Sequence, residues 1–291
     1  MCSPSSPPLL SFGLITDVQY ADVEDGWNYS HTTQRFYRNA FVLMERAIDA
    51  WLSRSQPPLA FAVNLGDLID GKSKRAGSTP AALERMQRAW RRFETAAGPT
   101  YYDFTVDRAP GVRFVVLNPY GVTSLARAPD DPVFQQARAT LRRENPNDDL
   151  NSPLGLRGKR KRFVEYNGAV DAAQLEWLHE ALRRADAASE RVVVFSHVPL
   201  HPSSCPATCL LWNYDAVLRV IDAHDCVRAV FSGHVHSNGY HRSRRGVHFV
   251  VCDAVLECRA DENAYATVDV HHDRLVVRGH GKIPSRELRF E

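Results

Sequence analysis

The sequence has no apolar run long enough to cross a bilayer, which excludes a membrane-spanning helix. It has little excess charge of either sign. Its 36 Lys and Arg face 34 Asp and Glu, a net charge of +2, too small to mark a nucleic-acid binder. Six cysteines are present (Cys2, Cys205, Cys209, Cys226, Cys252 and Cys258) but no Cys-x-x-Cys pair. Neither a disulfide framework nor a metal-binding cysteine pair is expected, and reduced thiols favour a cytoplasmic protein. The opening MCSPSSPPLLS has no basic start and no long apolar stretch, so it does not read as a signal peptide. Its Ser and Pro content suggests a disordered lead-in over residues 1–11. There is no internal repeat and no heptad pattern, and a monomer is expected.

What is present is an ordinary globular composition. A chain of 291 residues with 44% hydrophobic content can bury a substantial core, and residues 12–291 read as a single domain. Short apolar runs read as buried strands: 9–16, 59–65, 112–117, 191–195, 227–231 and 247–251. Helical spacing of apolar residues marks 33–53, 80–97 and 171–187, the last opening on Asp171 as a cap. This alternation implies a layered α/β fold. Residues 247–252, 264–271 and 274–279 read as a C-terminal antiparallel meander. Residues 146–162 read as a long surface loop, and such loops are often functional.

Four of the strands end in metal-binding chemistry. They run into Asp17-Val18-Gln19, Gly66-Asp67, Ser196-His197 and Gly233-His234-Val235-His236. In open α/β sheets, ligands gather beyond the carboxyl ends of strands. One Asp or His there is uninformative, because a lone His is usually a hydrogen-bonded structural residue. The pair His234 and His236 is stronger, since alternate residues of an extended segment share a face. Two divalent cations about 3.5–4 Å apart need a shared carboxylate, and Asp67 is the natural candidate. Such a pair neutralises phosphate charge and makes a water acidic enough to attack near neutral pH.

The four motifs, in this order, resemble those of the calcineurin-like metallophosphoesterases. That likeness implies an α/β/β/α sandwich and two metal sites. One would be held by Asp17, Gln19, Asp67 and His236, the other by Asp67, His197 and His234. The family's opening motif is commonly Asp-x-His. The amide of Gln19 is a harder ligand, which tilts the site towards Mn²⁺ or Mg²⁺, unless Gln19 stands outside the ligand set. The run Asp17-Val18-Gln19-Tyr20-Ala21-Asp22-Val23-Glu24-Asp25-Gly26 narrows the resemblance to the manganese-dependent ADP-ribose/CDP-alcohol diphosphatases. Asn151-Ser152-Pro153-Leu154-Gly155-Leu156, Asn167-Gly168 and Leu211-Trp212-Asn213-Tyr214 support it. The implied substrates are nucleotide diphosphates such as ADP-ribose and CDP-choline, split to AMP or CMP and a phosphorylated partner.

One family motif is absent. No Asn in the chain is followed by His, so the Gly-Asn-His that supplies a ligand to the second metal and a catalytic His is missing. One internal strand and helix are expected to be missing with it, and the catalytic residue is left unknown. Asn118, at a strand end, is a candidate substitute ligand. The alternative reading is a catalytically impaired nucleotide-binding variant. Tyr20, Trp27 and Tyr29 are candidates for stacking on the base, or for ordinary loop packing. Arg35 and Arg38 are candidates for meeting the diphosphate, or for a solvated helix face. The basic run 157–162 reads as a solvated loop rather than a nucleic-acid contact.

Overall fold

The structure, a computed structural model, describes residues 7–54, 57–93 and 99–290. Strand β1 (Leu10–Ile15) leads through the short β2 (Gly26–Trp27) and β3 (Gln34–Arg35) to helix α1 (Tyr37–Leu52). β4 (Phe61–Asn64) is followed by α2 (Lys72–Arg75) and α3 (Thr79–Trp90), then β5 (Tyr102–Thr105) and β6 (Val112–Val116). α4 (Pro132–Glu144) and α5 (Ala172–Ala187) precede β7 (Arg191–Phe195), and α6 (Tyr214–Asp222) precedes β8 (Val227–Ser232). β9 (Gly239–Arg242), β10 (His248–Val251), β11 (Ala264–Val270), β12 (Arg274–Gly281) and β13 (Arg286–Arg289) complete the chain.

The strands form two main sheets, in the orders β13-β12-β11-β1-β4 and β5-β6-β7-β8-β10-β9. Their facing sides meet through aromatic rings. Phe12 of β1 stacks on Phe61 of β4 at 5.2 Å and meets Phe114, Phe195 and Phe231 of the second sheet edge-on at 5.7, 5.6 and 6.2 Å. Each such ring buries a large apolar surface, so this contact is the main force joining the sheets. Helices cover the outer sides. In α1 the residues Tyr37, Ala40, Phe41, Met44, Ala47, Ile48 and Trp51 recur at helical spacing and are buried. Trp51 lies on Gly13 of β1, where an added Cβ would come within 2.7 Å of the indole. On the other side, α5 and α6 bury Leu178, Leu182, Val217 and Ile221 against Val192, Val194 and Val230. Asp171 caps α5, accepting from the Gln174 amide at 2.8 Å. The result is the expected α/β/β/α order.

Three boundaries depart from expectation. Leu10 and Ser11, expected within a disordered lead-in over 1–11, are strand residues that pair with Val270 and Asp269, and residues 1–6 lie outside the described residues. The helix expected over 80–97 ends at Trp90, and 94–98 also lie outside the described residues. The 247–252 strand is not part of the C-terminal meander. β10 runs parallel to β8 in the second sheet, while β11, β12 and β13 pair antiparallel beside β1. An apolar run reveals a strand but not which sheet takes it. β4 is an edge strand among the described residues, and all four of its residues are only partly buried.

The topology sets up the site. β1 and β4 are parallel, as are β7 and β8, and the four motif loops leave their carboxyl ends. Within each sheet the loops of neighbouring strands are tied together. Asp17 N donates to Gly66 O at 3.1 Å, Gln19 N to Asp67 O at 2.8 Å and Gly233 N to His197 O at 3.0 Å.

Candidate metal centre

All six expected ligands belong to one cluster. Asp17 is fully buried. Its Oδ2 accepts from Thr16 Oγ1 at 2.7 Å and from the His234 backbone N–H at 2.8 Å, which joins the first strand's loop to the last one's. Its Oδ1 has no hydrogen-bond partner. It faces His236 Nε2 at 3.3 Å and His197 Nε2 at 3.9 Å. His197 Nε2 is 3.6 Å from Asp67 Oδ2 and 3.2 Å from His234 Nδ1. Gln19 Nε2 donates to Asp67 Oδ2 at 2.6 Å and stands 3.3 Å from His236 Nε2. Ligand atoms of Asp17, Asp67 and His197 all lie within 4.8 Å of one another.

The backbone of this cluster is unusual. Asp17, Gln19, Asp67, His234 and His236 have φ of 50°, 43°, 53°, 71° and 64°. The left-handed region is sparsely used by residues with a Cβ, and such outliers gather at functional sites. Two glycines make room for the side chains. A Cβ on Gly66 would lie 2.6 Å from His197 Nδ1, and one on Gly233 would lie 2.5 Å from Asp17 Oδ2. These close approaches give the Gly of Gly-Asp and of Gly-His-x-His a physical reason.

Protonation is strongly perturbed. Burial alone would raise the Asp17 carboxyl, but His197, His236 and Thr16 hold it well below the usual carboxylate range. Asp67 is likewise lowered against burial, chiefly by His197. Burial and the neighbouring His197 charge push His234 down to about 3. His236 goes the other way, to about 9, because Asp17 and Glu257 outweigh burial. An ionised carboxylate with an orphaned buried oxygen beside imidazole nitrogens fits a divalent cation. In this conformation it is the Gln19 amide nitrogen, not the oxygen, that meets Asp67, and Gln19 Oε1 has no partner. A half-turn of the carboxamide exchanges them.

The remaining candidates fall out differently. Trp27 and Tyr29 are 53% and 84% exposed, and Tyr29 donates to Asp149 Oδ2 of the long loop at 3.3 Å. Tyr20 is buried against Phe41, so it serves the core and not stacking. Arg35 Nε lies 3.8 Å from Glu257 Oε1, beside His236. Arg38 is occupied by Asp22 and Glu24 at 2.7 and 2.6 Å on the surface. Asn118 does not join the cluster, since its Oδ1 accepts from Tyr120 N at 3.0 Å in a local turn. Within the basic run, Gly158–Arg162 forms a 3-10 turn, and Arg162 is folded inward onto Trp212 O at 2.6 Å. Cys205, Cys209, Cys226, Cys252 and Cys258 are free thiols.

Two neighbours escaped the sequence reading. Asn167 Oδ1 is 2.7 Å from His234 Nε2, and Glu257 Oε1 is 2.8 Å from His236 Nδ1. Asn167-Gly168 was visible as a supporting pair, whereas nothing around Glu257 marks it.

No family model matches the chain. Among known proteins, the manganese-dependent ADP-ribose/CDP-alcohol diphosphatase of Oryza sativa subsp. japonica is 36% identical over 315 positions, covering 99% of this chain and 96% of its own length. The protein of the same name from Homo sapiens is 33% identical, covering 99% of this chain and 95% of its own. The Bos taurus protein of that name is 33% identical over 327 aligned positions, covering 99% of this chain and 96% of its own length. Of solved structures, a dimetal phosphatase from Danio rerio superposes with a TM-score of 0.90 at 30% identity, covering 98% of this chain and all of the other.

Proposed function

The chain belongs to the manganese-dependent ADP-ribose/CDP-alcohol diphosphatase family, and on that premise we propose that it hydrolyses the diphosphate linkage of ADP-ribose and of CDP-alcohols such as CDP-choline. The products are AMP or CMP and a phosphorylated partner. The observation that carries this reading is the approach of Asp17, Asp67 and His197 to within one cation's reach of each other.

Asp17, Gln19, Asp67 and His236 would hold one Mn²⁺, and Asp67, His197 and His234 the other. Asp67 would be shared, since its Oδ2 lies 2.6 Å from the Gln19 carboxamide nitrogen and 3.6 Å from His197 Nε2. Bound cations of this kind supply positive charge against the diphosphate and raise the acidity of water. The protein's own contribution is to hold two carboxylates ionised and a buried His234 neutral, the states in which they bind metal. Trp27 and Tyr29 offer faces for the base, and Arg35 a guanidinium for the diphosphate. Among the described residues five cysteines are free, which favours a reducing compartment, the cytoplasm, and the protein acts as a monomer.

The absence of Asn-His from the sequence favours one second reading, a protein that binds nucleotide diphosphates without turning them over. Loss of a positioned acid costs roughly 10²–10⁴-fold in rate. Purified protein with Mn²⁺ and ADP-ribose or CDP-choline separates the two. Release of AMP or CMP that disappears in Asp67→Ala supports the enzyme. Binding without release supports the second reading.

A further inference from the structure

We propose that Glu257 and Asn167, neither of them a metal ligand, are positioning residues that set the tautomer and ring plane of His236 and His234. Their roles rest on the two-cation reading of the site, though not on the identity of the substrate.

Asn167 is fully buried. Its amide can adopt only one orientation. Nδ2 donates to Arg162 O and Thr208 O, each at 2.8 Å. A reversed amide would aim its oxygen at two carbonyl oxygens, so Oδ1 is the atom that faces His234 Nε2 at 2.7 Å. Nε2 must then carry the hydrogen. That leaves the lone pair on Nδ1, the nitrogen 3.2 Å from His197 Nε2 on the inner side of the cluster.

Glu257 does the same for His236 with the nitrogens exchanged. Its Oε1 accepts from Nδ1 at 2.8 Å, so Nε2, 3.3 Å from Asp17 Oδ1, is the nitrogen left to meet a cation. Glu257 is anchored to the metal loop itself. It ends a 3-10 turn, Val255–Glu257, in which Leu256 N donates to Asp17 O at 3.1 Å and Val255 N to Thr16 O. A shift of Asp17 therefore carries Glu257, and with it His236, in the same direction. Neither residue lies in the four strand-end motifs. Asn167 comes from the connection between α4 and α5, and Glu257 from the one between β10 and β11. Ligand imidazoles are typically oriented by a partner of this kind, and its removal costs about 10–100-fold in metal affinity.

The test uses the full chain and Mn²⁺ alone. Isothermal titration is run on wild type, Glu257→Ala and Glu257→Gln, with thermal melts to establish folding. Expected is a loss of about 10–100-fold in Glu257→Ala and near wild-type affinity in Glu257→Gln, whose amide oxygen still accepts from Nδ1–H. Equal losses in both variants would mean that the charge matters and the hydrogen bond does not, which overturns the role of Glu257. Unchanged affinity in Glu257→Ala overturns it as well. For Asn167, long-range ¹H–¹⁵N spectra of the metal-free, histidine-labelled protein read the tautomer of His234, assigned by comparison with His234→Gln. The Nε2–H form supports the assignment and the Nδ1–H form overturns it. Failure of wild type to bind Mn²⁺ would sink the metal reading instead, and the histidine spectrum would still decide for Asn167.

Discussion

Replacing Gly233 by Ala tests how tightly the metal centre is built. An added Cβ would overlap Thr16 Oγ1 and lie 2.5 Å from Asp17 Oδ2. Thr16 sits fully buried at the end of β1 and has nowhere to withdraw. Relief must displace both Thr16 Oγ1 and the Asp17 carboxylate, which breaks the carboxylate's bonds from Thr16 Oγ1 at 2.7 Å and His234 N at 2.8 Å. Hydrogen bonds to a charged group are worth about 1.5–3 kcal/mol each. Loss of the pair costs about 3 kcal/mol or more, which lowers Tm by roughly 6–12 °C in a domain of this size. Scanning fluorimetry of the metal-free protein measures this directly. Gly71→Ala is the control, since a Cβ there meets nothing within 4 Å. A Gly233→Ala protein that melts within about 2 °C of wild type would refute the reasoning, because the overlap would then have been absorbed at almost no cost.

Gly66→Ala combines a φ of +136° with a Cβ 2.6 Å from His197 Nδ1, so Mn²⁺ affinity measured by calorimetry is expected to fall at least about tenfold. Asp269, buried, accepts from Ser11 Oγ at 2.6 Å, Arg54 Nη2 at 2.9 Å and Arg278 Nε at 2.6 Å. Asp269→Asn leaves these partners poorly met and is expected to cost about 3 kcal/mol at pH 7 in urea titration. Burial would raise the Asp269 carboxyl, but Ser11 and the two arginines hold it below its ordinary value. Its contribution is therefore present above about pH 4 and fades as pH falls through the lowered folded value, so mutant and wild type should converge in acid. With no Asn-His in the chain to supply a positioned acid, turnover should depend steeply on the leaving group. Aryl phosphodiesters with acidic phenols should gain on ADP-ribose relative to the same ratio measured in a family member that keeps Gly-Asn-His.

The candidate ligands were legible because all but Gln19 carry a short, directional signature, an apolar strand that runs into Asp or His. Gly66 and Gly233 sharpened it, and the structure gives both a steric reason. α1 and α5 were legible from periodicity. α4 was not, since only Ala137 and Leu141 of its residues are buried, too sparse a stripe to register. β13 buries only Leu288 and was missed on the same ground. Glu257 and Asn167 lie in connections with no period, and their bearing on His236 and His234 exists only once distant segments meet. The left-handed backbone at Asp17, Gln19, Asp67, His234 and His236 was equally hidden, because residue type alone argues against it at a position with a Cβ.

That backbone would make the proposed cations part of the folding balance. Each non-glycine residue held at positive φ costs about 1 kcal/mol or more. Five together reach about 5 kcal/mol, comparable with the net stability of a whole domain. Cation coordination can offset that sum, since binding to the native state alone stabilises it by mass action. Chelators should therefore do more than silence chemistry. They should loosen the loops after β1, β4 and β8 first, so that metal starvation leaves a protein more readily cut by proteases at its own active site.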